Sequence, residues 1–182
     1  MAKSKDYIWE INRKVLINSP ISKVWEIIST ESHLEKFHPF CKKNDVKEWV
    51  SDSHKDTVAY YNNRILHRNF YNWFEGKGFD LIIGDSEGND SHVFWRLSNK
   101  DSKTLASISI KPYIYNRGSK ITNFIPFFAF VRPKLANYLY SVLMGYEEPP
   151  AGMKLDDGVY YNKYMYGNKI KMANQLSDGL VE

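Results

Sequence analysis

The chain has 182 residues, of which 43% are hydrophobic and 25% charged, with a net charge of +4 and one cysteine. This length suits one domain, or one domain with an extension, and is enough to bury a core without disulfides. Because one cysteine cannot form an intramolecular disulfide, we expect a reducing, cytoplasmic location. The basic residues form no long block, and the longest apolar run, residues 124–131, contains a proline. We therefore expect neither nucleic-acid binding nor integral membrane association.

The N-terminal part of the chain predicts one strand followed by two short helices. Apolar and polar residues alternate over residues 7–17, which is the period of a strand with one buried face. Ser19 and Pro20 then favour the start of a helix, as a capping residue followed by a residue suited to the first helical position. The second helix should end near His38, because Pro39 disfavours the helical conformation in the residue before it.

The middle of the chain predicts antiparallel strands joined by short turns. The predicted strands cover residues 46–50, 57–62, 65–74, 79–83, 92–97 and 104–114. No helical segment separates them, so consecutive strands should pair as a meander. Asn62 and Asn63 are expected to form one of the tight turns between strands.

The C-terminal part predicts a long helix and an extension. Residues 119–146 form the longest helix-compatible stretch, although Pro126 and Pro133 should divide or kink it. The residues that follow are first linker-like and then rich in polar and tyrosine side chains. We therefore predict a domain over residues 1–146 and a C-terminal extension, with room for a short helix, over residues 147–182.

The first strand and helix carry a resemblance to a known superfamily. The run Val15-Leu16-Ile17-Asn18-Ser19-Pro20, followed by Lys23-Val24-Trp25-Glu26, resembles the opening of START, polyketide-cyclase and birch-pollen-allergen proteins. The stretch from Leu34 to Phe40 is similar to their second helix and the loop after it. The resemblance implies an α+β helix-grip fold, in which a curved antiparallel sheet of about seven strands surrounds a long C-terminal helix.

The same resemblance implies a ligand cavity between the sheet, the two short helices and the long helix. The residues expected to line it are Phe37, His38, Tyr60, Tyr71, Trp73, Trp95, Phe127 and Phe130. Aromatic side chains are common in ligand sites, but ordinary core packing is the competing interpretation for each of them. Strand phase decides between the two, because a shift of one residue moves every side chain to the other face.

Three side chains are candidates for catalysis. His38 could act as a general base or bind the ligand, or it could be a surface imidazole at a helix end. Arg68 and Arg96 could stabilise an oxyanion if they face inward, or could simply face solvent. The histidines and the cysteine, Cys41, lack metal-binding spacing, and no glycine-rich phosphate loop is present. The sequence therefore predicts no metal and no cofactor.

Three functions remain open at this point. The leading prediction is binding or carriage of a small apolar or aromatic molecule, which includes a lipid. The alternative is a cyclase or dehydratase acting on a polyketide-like or other hydrophobic substrate in the same cavity. The third is an interaction module, in which the aromatic segment 160–176 binds a partner protein or forms a homodimer.

Overall fold

A computed structural model describes residues 9–51, 53–113 and 132–144 of the chain. Within these residues it contains seven strands and three helices. They are β1 (Ile11–Ile17), α1 (Ile21–Ser29), α2 (His33–Phe37), β2 (Cys41–Val50), β3 (Ser53–Tyr60), β4 (Ile65–Phe74), β5 (Gly78–Gly84), β6 (Asp90–Lys100), β7 (Lys103–Lys111) and α3 (Arg132–Met144).

The seven strands form one curved antiparallel sheet in the order β1-β7-β6-β5-β4-β3-β2. Strands β2 to β7 are a meander, and β1 closes the sheet by pairing with β7, where Val15 lies opposite Ala106. The two short helices lie between β1 and β2 in the chain. The predicted antiparallel sheet and the two helices after the first strand are therefore confirmed.

Several strands are longer than predicted, and the turns and bulges of the sheet explain why. The turn between β6 and β7 consists only of Asp101 and Ser102, whose φ angles of 49° and 66° are those of a tight hairpin turn. Both strands therefore extend up to this turn. Strand β2 begins at Cys41 rather than at the predicted residue 46, and its register shifts twice against β3. Such bulges interrupt the alternation of apolar and polar residues from which strands are predicted.

The helices pack against the sheet through apolar faces. Helix α1 buries Val24, Trp25 and Ile28, and α3 packs against β1 and β7. The buried side chains of α3 are Leu135, Ala136, Leu139, Val142 and Leu143. The longer helix predicted from residue 119 is not shown, because residues 114–131 and 145–182 lie outside the described residues. None of the described helices is long and apolar enough to cross a membrane.

An aromatic cluster fills the part of the core beneath α1. Trp73 stacks on the imidazole of His54 with ring centroids 4.0 Å apart and contacts Trp25 edge-on at 5.3 Å. Phe79 lies 5.4 Å from Trp73 and 5.0 Å from Phe70. Aromatic pairs at these separations are favourable contacts. This part of the sheet is thus packed with side chains, and the open space lies elsewhere.

Candidate functional site

A cavity of about 190 Å³ lies between α3 and the inner face of the sheet. Most of its wall is apolar. The lining residues are Leu34, His38, Phe40, Tyr60, Asn62, Arg64, Leu66, Arg68, Leu81, Ile83, Gly84, Asn89, Ser91, Val93, Trp95, Ile108, Ile110, Leu135, Tyr138, Leu139 and Val142. Three of the partly exposed polar members, Asn62, Arg64 and Asn89, come from the β3–β4 and β5–β6 connections, which lie at the same end of the sheet. An apolar wall with a few polar groups is typical of a small-molecule site.

His38 joins the loop after α2 to helix α3. Its Nε2 lies 2.7 Å from the Tyr138 hydroxyl, and its Nδ1 accepts a hydrogen bond of 3.2 Å from the backbone N–H of Phe40. Since Nδ1 accepts, the ring proton of the neutral imidazole must be on Nε2. His38 therefore donates to the oxygen of Tyr138. Both ring nitrogens are thereby committed to hydrogen bonds within the protein.

Tyr60 and Tyr138 place two phenol groups at the cavity. Both residues line its wall, and the hydroxyl of Tyr138 is the one that lies 2.7 Å from His38 Nε2. Burial raises the pKa of Tyr60, and burial together with the neighbouring Tyr60 raises the pKa of Tyr138 well above its usual value. Both hydroxyls are therefore protonated at neutral pH and can donate hydrogen bonds.

Arg68 lies at the cavity wall in a buried ion pair. Its Nε donates to Asp56 Oδ1 at 2.7 Å, and its Nη2 bonds the other carboxylate oxygen. The two residues face each other across the β3–β4 pair, and their side chains are only 3% and 0% exposed. Two parallel hydrogen bonds of this kind are the strong arrangement for arginine and a carboxylate. The protein itself therefore supplies the partner that a buried arginine requires.

His33 extends this network away from the cavity. Its Nδ1 donates to the Thr30 carbonyl oxygen at 2.8 Å, and its Nε2 accepts from Arg68 Nη1 at 3.3 Å. Burial, followed by the positive charge of Arg68, holds the pKa of His33 well below its usual value. His33 is therefore neutral at physiological pH and serves as an acceptor for the arginine.

The structure brings four of the predicted site residues to the cavity, namely His38, Tyr60, Trp95 and Arg68. Phe37 is buried but does not line it, and it stacks on His33 at 6.0 Å. Trp73 belongs to the aromatic cluster described above. Phe127 and Phe130 lie outside the described residues. Whether any of these residues binds a ligand remains a prediction.

The prediction that Tyr71 lines the cavity is wrong, and Arg96, whose orientation the sequence left open, faces outward. Tyr71 is 44% exposed, and its hydroxyl lies 3.1 Å from His92 on the outer face of the sheet. A bulge in β4, where the register shifts between Phe70 and Asn72, moves Trp73 to the inner face but leaves Tyr71 outside. The side chain of Arg96 is 44% exposed and pairs with Asp80. It is out of phase with inward-facing Trp95.

Two residues of the site were not predicted. Tyr138 lies one helical turn from Leu135 and from Val142, on the stripe that faces the sheet, so its spacing carried a signal. Asp56 shares a strand phase with Val58 and Tyr60. The observed pairing of Asp56 with Arg68 requires a three-residue turn, 61–63, whereas the predicted two-residue turn at Asn62-Asn63 would have paired Asp56 with Asn69. Among the described residues, no group of three or more His, Cys, Asp or Glu could hold a metal ion.

Comparison with protein families places a similarity in the C-terminal part of the chain. Residues 114–182 match the model of the Cytochrome C1 family. The chain is 44% identical over 46 residues to the mitochondrial heme protein cytochrome c1-2 of Solanum tuberosum, which is 25% of this chain and 18% of that protein. The chain spans less than a fifth of the length of the curated relatives it matches first. The matched range includes α3 and crosses the boundary predicted at residue 146.

The residues of this chain do not fit covalent attachment of a c-type heme. Attachment uses the motif Cys-x-x-Cys-His. The chain has a single cysteine, Cys41 in β2, and residues 114–182 contain neither cysteine nor histidine. We therefore derive no heme chemistry for this chain from the similarity.

Comparison with solved structures concerns the fold. The structure of protein TTHA0849 from Thermus thermophilus has a TM-score of 0.60 and 10% identity, over 76% of this chain and 94% of that chain. The Aha1 dimer from Colwellia psychrerythraea has a TM-score of 0.53 and 12% identity, over 77% of this chain and 97% of that chain. At these identities the likeness shows the fold alone.

Proposed function

We propose that this chain is a helix-grip protein of the START and polyketide-cyclase type that binds a small apolar or aromatic molecule. The observation that carries the proposal is the cavity between α3 and the sheet. Its walls include Leu81, Val93 and Leu139, and the hydroxyls of Tyr60 and Tyr138 provide polar contacts. Apolar walls supply affinity and a few polar groups supply orientation in such sites.

The volume of the cavity limits the size of the ligand. Drug-sized ligands occupy pockets of roughly 300–1,000 Å³, whereas this cavity measures about 190 Å³. An apolar cavity of about 150 Å³ can hold benzene. A molecule the size of one substituted benzene ring, or one such part of a larger molecule, is therefore the ligand that fits.

The cyclase or dehydratase alternative has less support from the hydrogen-bond pattern. A general base needs a free lone pair directed at the substrate. The Nδ1 of His38 accepts from Phe40, and its Nε2 carries the proton donated to Tyr138. Arg68 is neutralised by Asp56. Binding without chemistry therefore accounts for these side chains more simply.

The binding of a partner protein, the formation of a homodimer and the cytoplasmic location of this chain are separate proposals. The segment 160–176, on which the interaction hypothesis rests, lies outside the described residues. One solved structure of similar fold is named as a dimer, which keeps a homodimer open for this chain. The buried thiol of Cys41 forms no disulfide, which is compatible with a reducing, cytoplasmic setting.

The binding proposal predicts that a large side chain placed in the cavity weakens ligand binding. Ile110 and Leu105 lie on the same strand with opposite phase, and only Ile110 lines the cavity. We expect Ile110→Trp to weaken binding of ethylbenzene by about tenfold or more, because the tryptophan ring would occupy the space that ethylbenzene needs. Forcing both groups into one packed space costs roughly 1–3 kcal/mol. The measurement is a ligand-observed NMR titration of each protein.

Leu105→Trp is the matched control, since it adds the same ring on the other face of β7. Its affinity for ethylbenzene should stay within about twofold of that of the original protein. Unfolding curves of both variants separate lost binding from lost folding. Equal affinities of two folded variants would place the ligand outside the cavity.

A further inference from the structure

Tyr138 differs from the other aromatic side chains of the cavity wall in its exposure. The rings of His38, Phe40, Tyr60 and Trp95 belong to residues that are only 2% to 8% exposed. Tyr138 is partly buried, so it alone among the rings that the described residues bring to the wall also contacts solvent. A ring with solvent on one side can swing outward, whereas an enclosed ring can move only if its close-packed neighbours move too.

The hydroxyl of Tyr138 lies at the polar end of the cavity. It is 2.7 Å from His38 Nε2, and the imidazole of His38 lies 5.6 Å from the ring of Tyr60. Tyr60 is the last residue of β3, directly before the connection that supplies Asn62 and Arg64 to the wall. The ring of Tyr138 therefore stands beside the partly exposed end of the cavity.

Two contacts hold this ring in the wall. The first is the hydrogen bond from His38, and the second is a stack on Phe40, with ring centroids 5.1 Å apart and an interplanar angle of 17°. Phe40 is fixed in turn by its backbone, whose N–H donates to His38 Nδ1 at 3.2 Å and whose carbonyl accepts from the N–H of Tyr61 at 3.1 Å. The loop after α2 thus holds Tyr138 inward from two sides.

We propose that Tyr138 sets the upper size limit of the ligand and that His38 is the positioning residue that holds Tyr138 in place. This inference rests on the proposed function and adds the residue that selects ligands by size. The cavity of about 190 Å³ has room for one ring. A ligand with two fused rings needs the space of the phenol ring, and it enters only when Tyr138 swings out and loses its bond to His38.

The test of the size limit compares two apolar probes, ethylbenzene and 2-ethylnaphthalene. We expect the original protein to bind 2-ethylnaphthalene at least about tenfold more weakly, because the second ring overpacks the cavity. Tyr138→Ala should reverse the preference to about tenfold in favour of 2-ethylnaphthalene, which then buries the larger apolar area. Tyr71→Ala, which removes a ring that is 44% exposed on the outer face, should keep the original preference. Ligand-observed NMR titrations measure the four affinity ratios that involve folded protein and both probes.

The test of the positioning role uses Tyr138→Phe and His38→Leu, which remove the two partners of one hydrogen bond. Each change should reduce the preference for ethylbenzene by roughly two- to tenfold, the net effect of one hydrogen bond. The double variant should reduce it no further than either single variant, since the same bond is lost in all three. Two separate structural disturbances would instead add.

The outcomes separate this inference from the proposed function. Equal affinity of the original protein for both probes, or an unchanged preference in Tyr138→Ala, would overturn the size limit and leave the cavity proposal standing. Additive effects of Tyr138→Phe and His38→Leu would overturn the positioning role of His38. Failure of ethylbenzene to bind the original protein would overturn the proposed function itself. If Tyr138→Ala does not fold, Tyr138→Leu, which keeps a larger apolar side chain, carries the same comparison.

Discussion

Replacement of Asp56 by alanine should lower the free energy of unfolding by about 3–5 kcal/mol, the largest effect expected of any single charge removal among the described residues. The change leaves the guanidinium of Arg68 buried at 3% exposure without a carboxylate partner. Its remaining partners, Asn44 and His33, are uncharged and at longer distances of 3.4 Å and 3.3 Å. Urea unfolding followed by circular dichroism measures the loss.

The matched control for Asp56→Ala is Glu48→Ala. Glu48 pairs with Lys55 at 2.8 Å, but the two side chains are 39% and 48% exposed. Solvent screens an exposed pair of this kind, so its removal should cost far less stability than the removal of Asp56. Replacing Asp56 and Arg68 together by leucine and methionine should recover much of the stability, because no buried charge is then left alone. A loss from Asp56→Ala no larger than that from Glu48→Ala would contradict the account of this ion pair.

Gly78→Ala should destabilise the protein by at least about 3 kcal/mol. Gly78 has a φ angle of +133°, and a Cβ atom there would lie 2.0 Å from the backbone oxygen of Trp95. Trp95 is paired with β5 on one side and β7 on the other, so its backbone cannot move away without breaking the sheet. Thermal and urea unfolding of the variant measure the effect.

Gly76→Ala provides the control in the same turn. Gly76 also has a positive φ angle, of +69°, but a Cβ atom there would meet nothing within 4 Å. Only the backbone strain remains, which costs roughly 1–2 kcal/mol in a left-handed conformation. If both alanine variants lost the same stability, the close approach of β5 and β6 would not be the cause.

The fold could be predicted in outline because its signals are local. Alternation identified β4 with its observed bounds, Ile65–Phe74. A helix does follow Ser19-Pro20, but Pro20 occupies the cap position expected of Ser19, and no side-chain capping bond forms. The predicted strand phase was wrong where a bulge changes it, near Tyr71. The sequence around Tyr71 does not indicate that β4 has one extra residue there relative to β5. Bulges are set by the pairing of two strands, and one strand's sequence does not reveal them.

The site could be predicted only in part, because it depends on contacts between distant parts of the chain. His38, Tyr60 and Trp95 were expected at the cavity from the superfamily resemblance, and they line it. The partner of His38, Tyr138, is 100 residues away in sequence and comes from the helix that closes the cavity. The size of the cavity likewise follows from how closely α3 approaches β1 and β7. The local pattern of residues reveals neither the contact between His38 and Tyr138 nor the size of the cavity.

A crystal structure of the protein with a bromine-substituted acetophenone tests the central claim most directly. Anomalous scattering locates the bromine independently of the protein. We expect one bromine site inside the cavity, among Leu81, Val93 and Leu139. A cavity without bromine in crystals that hold the compound elsewhere, or helix α3 packed against the sheet with no space between them, would contradict the account.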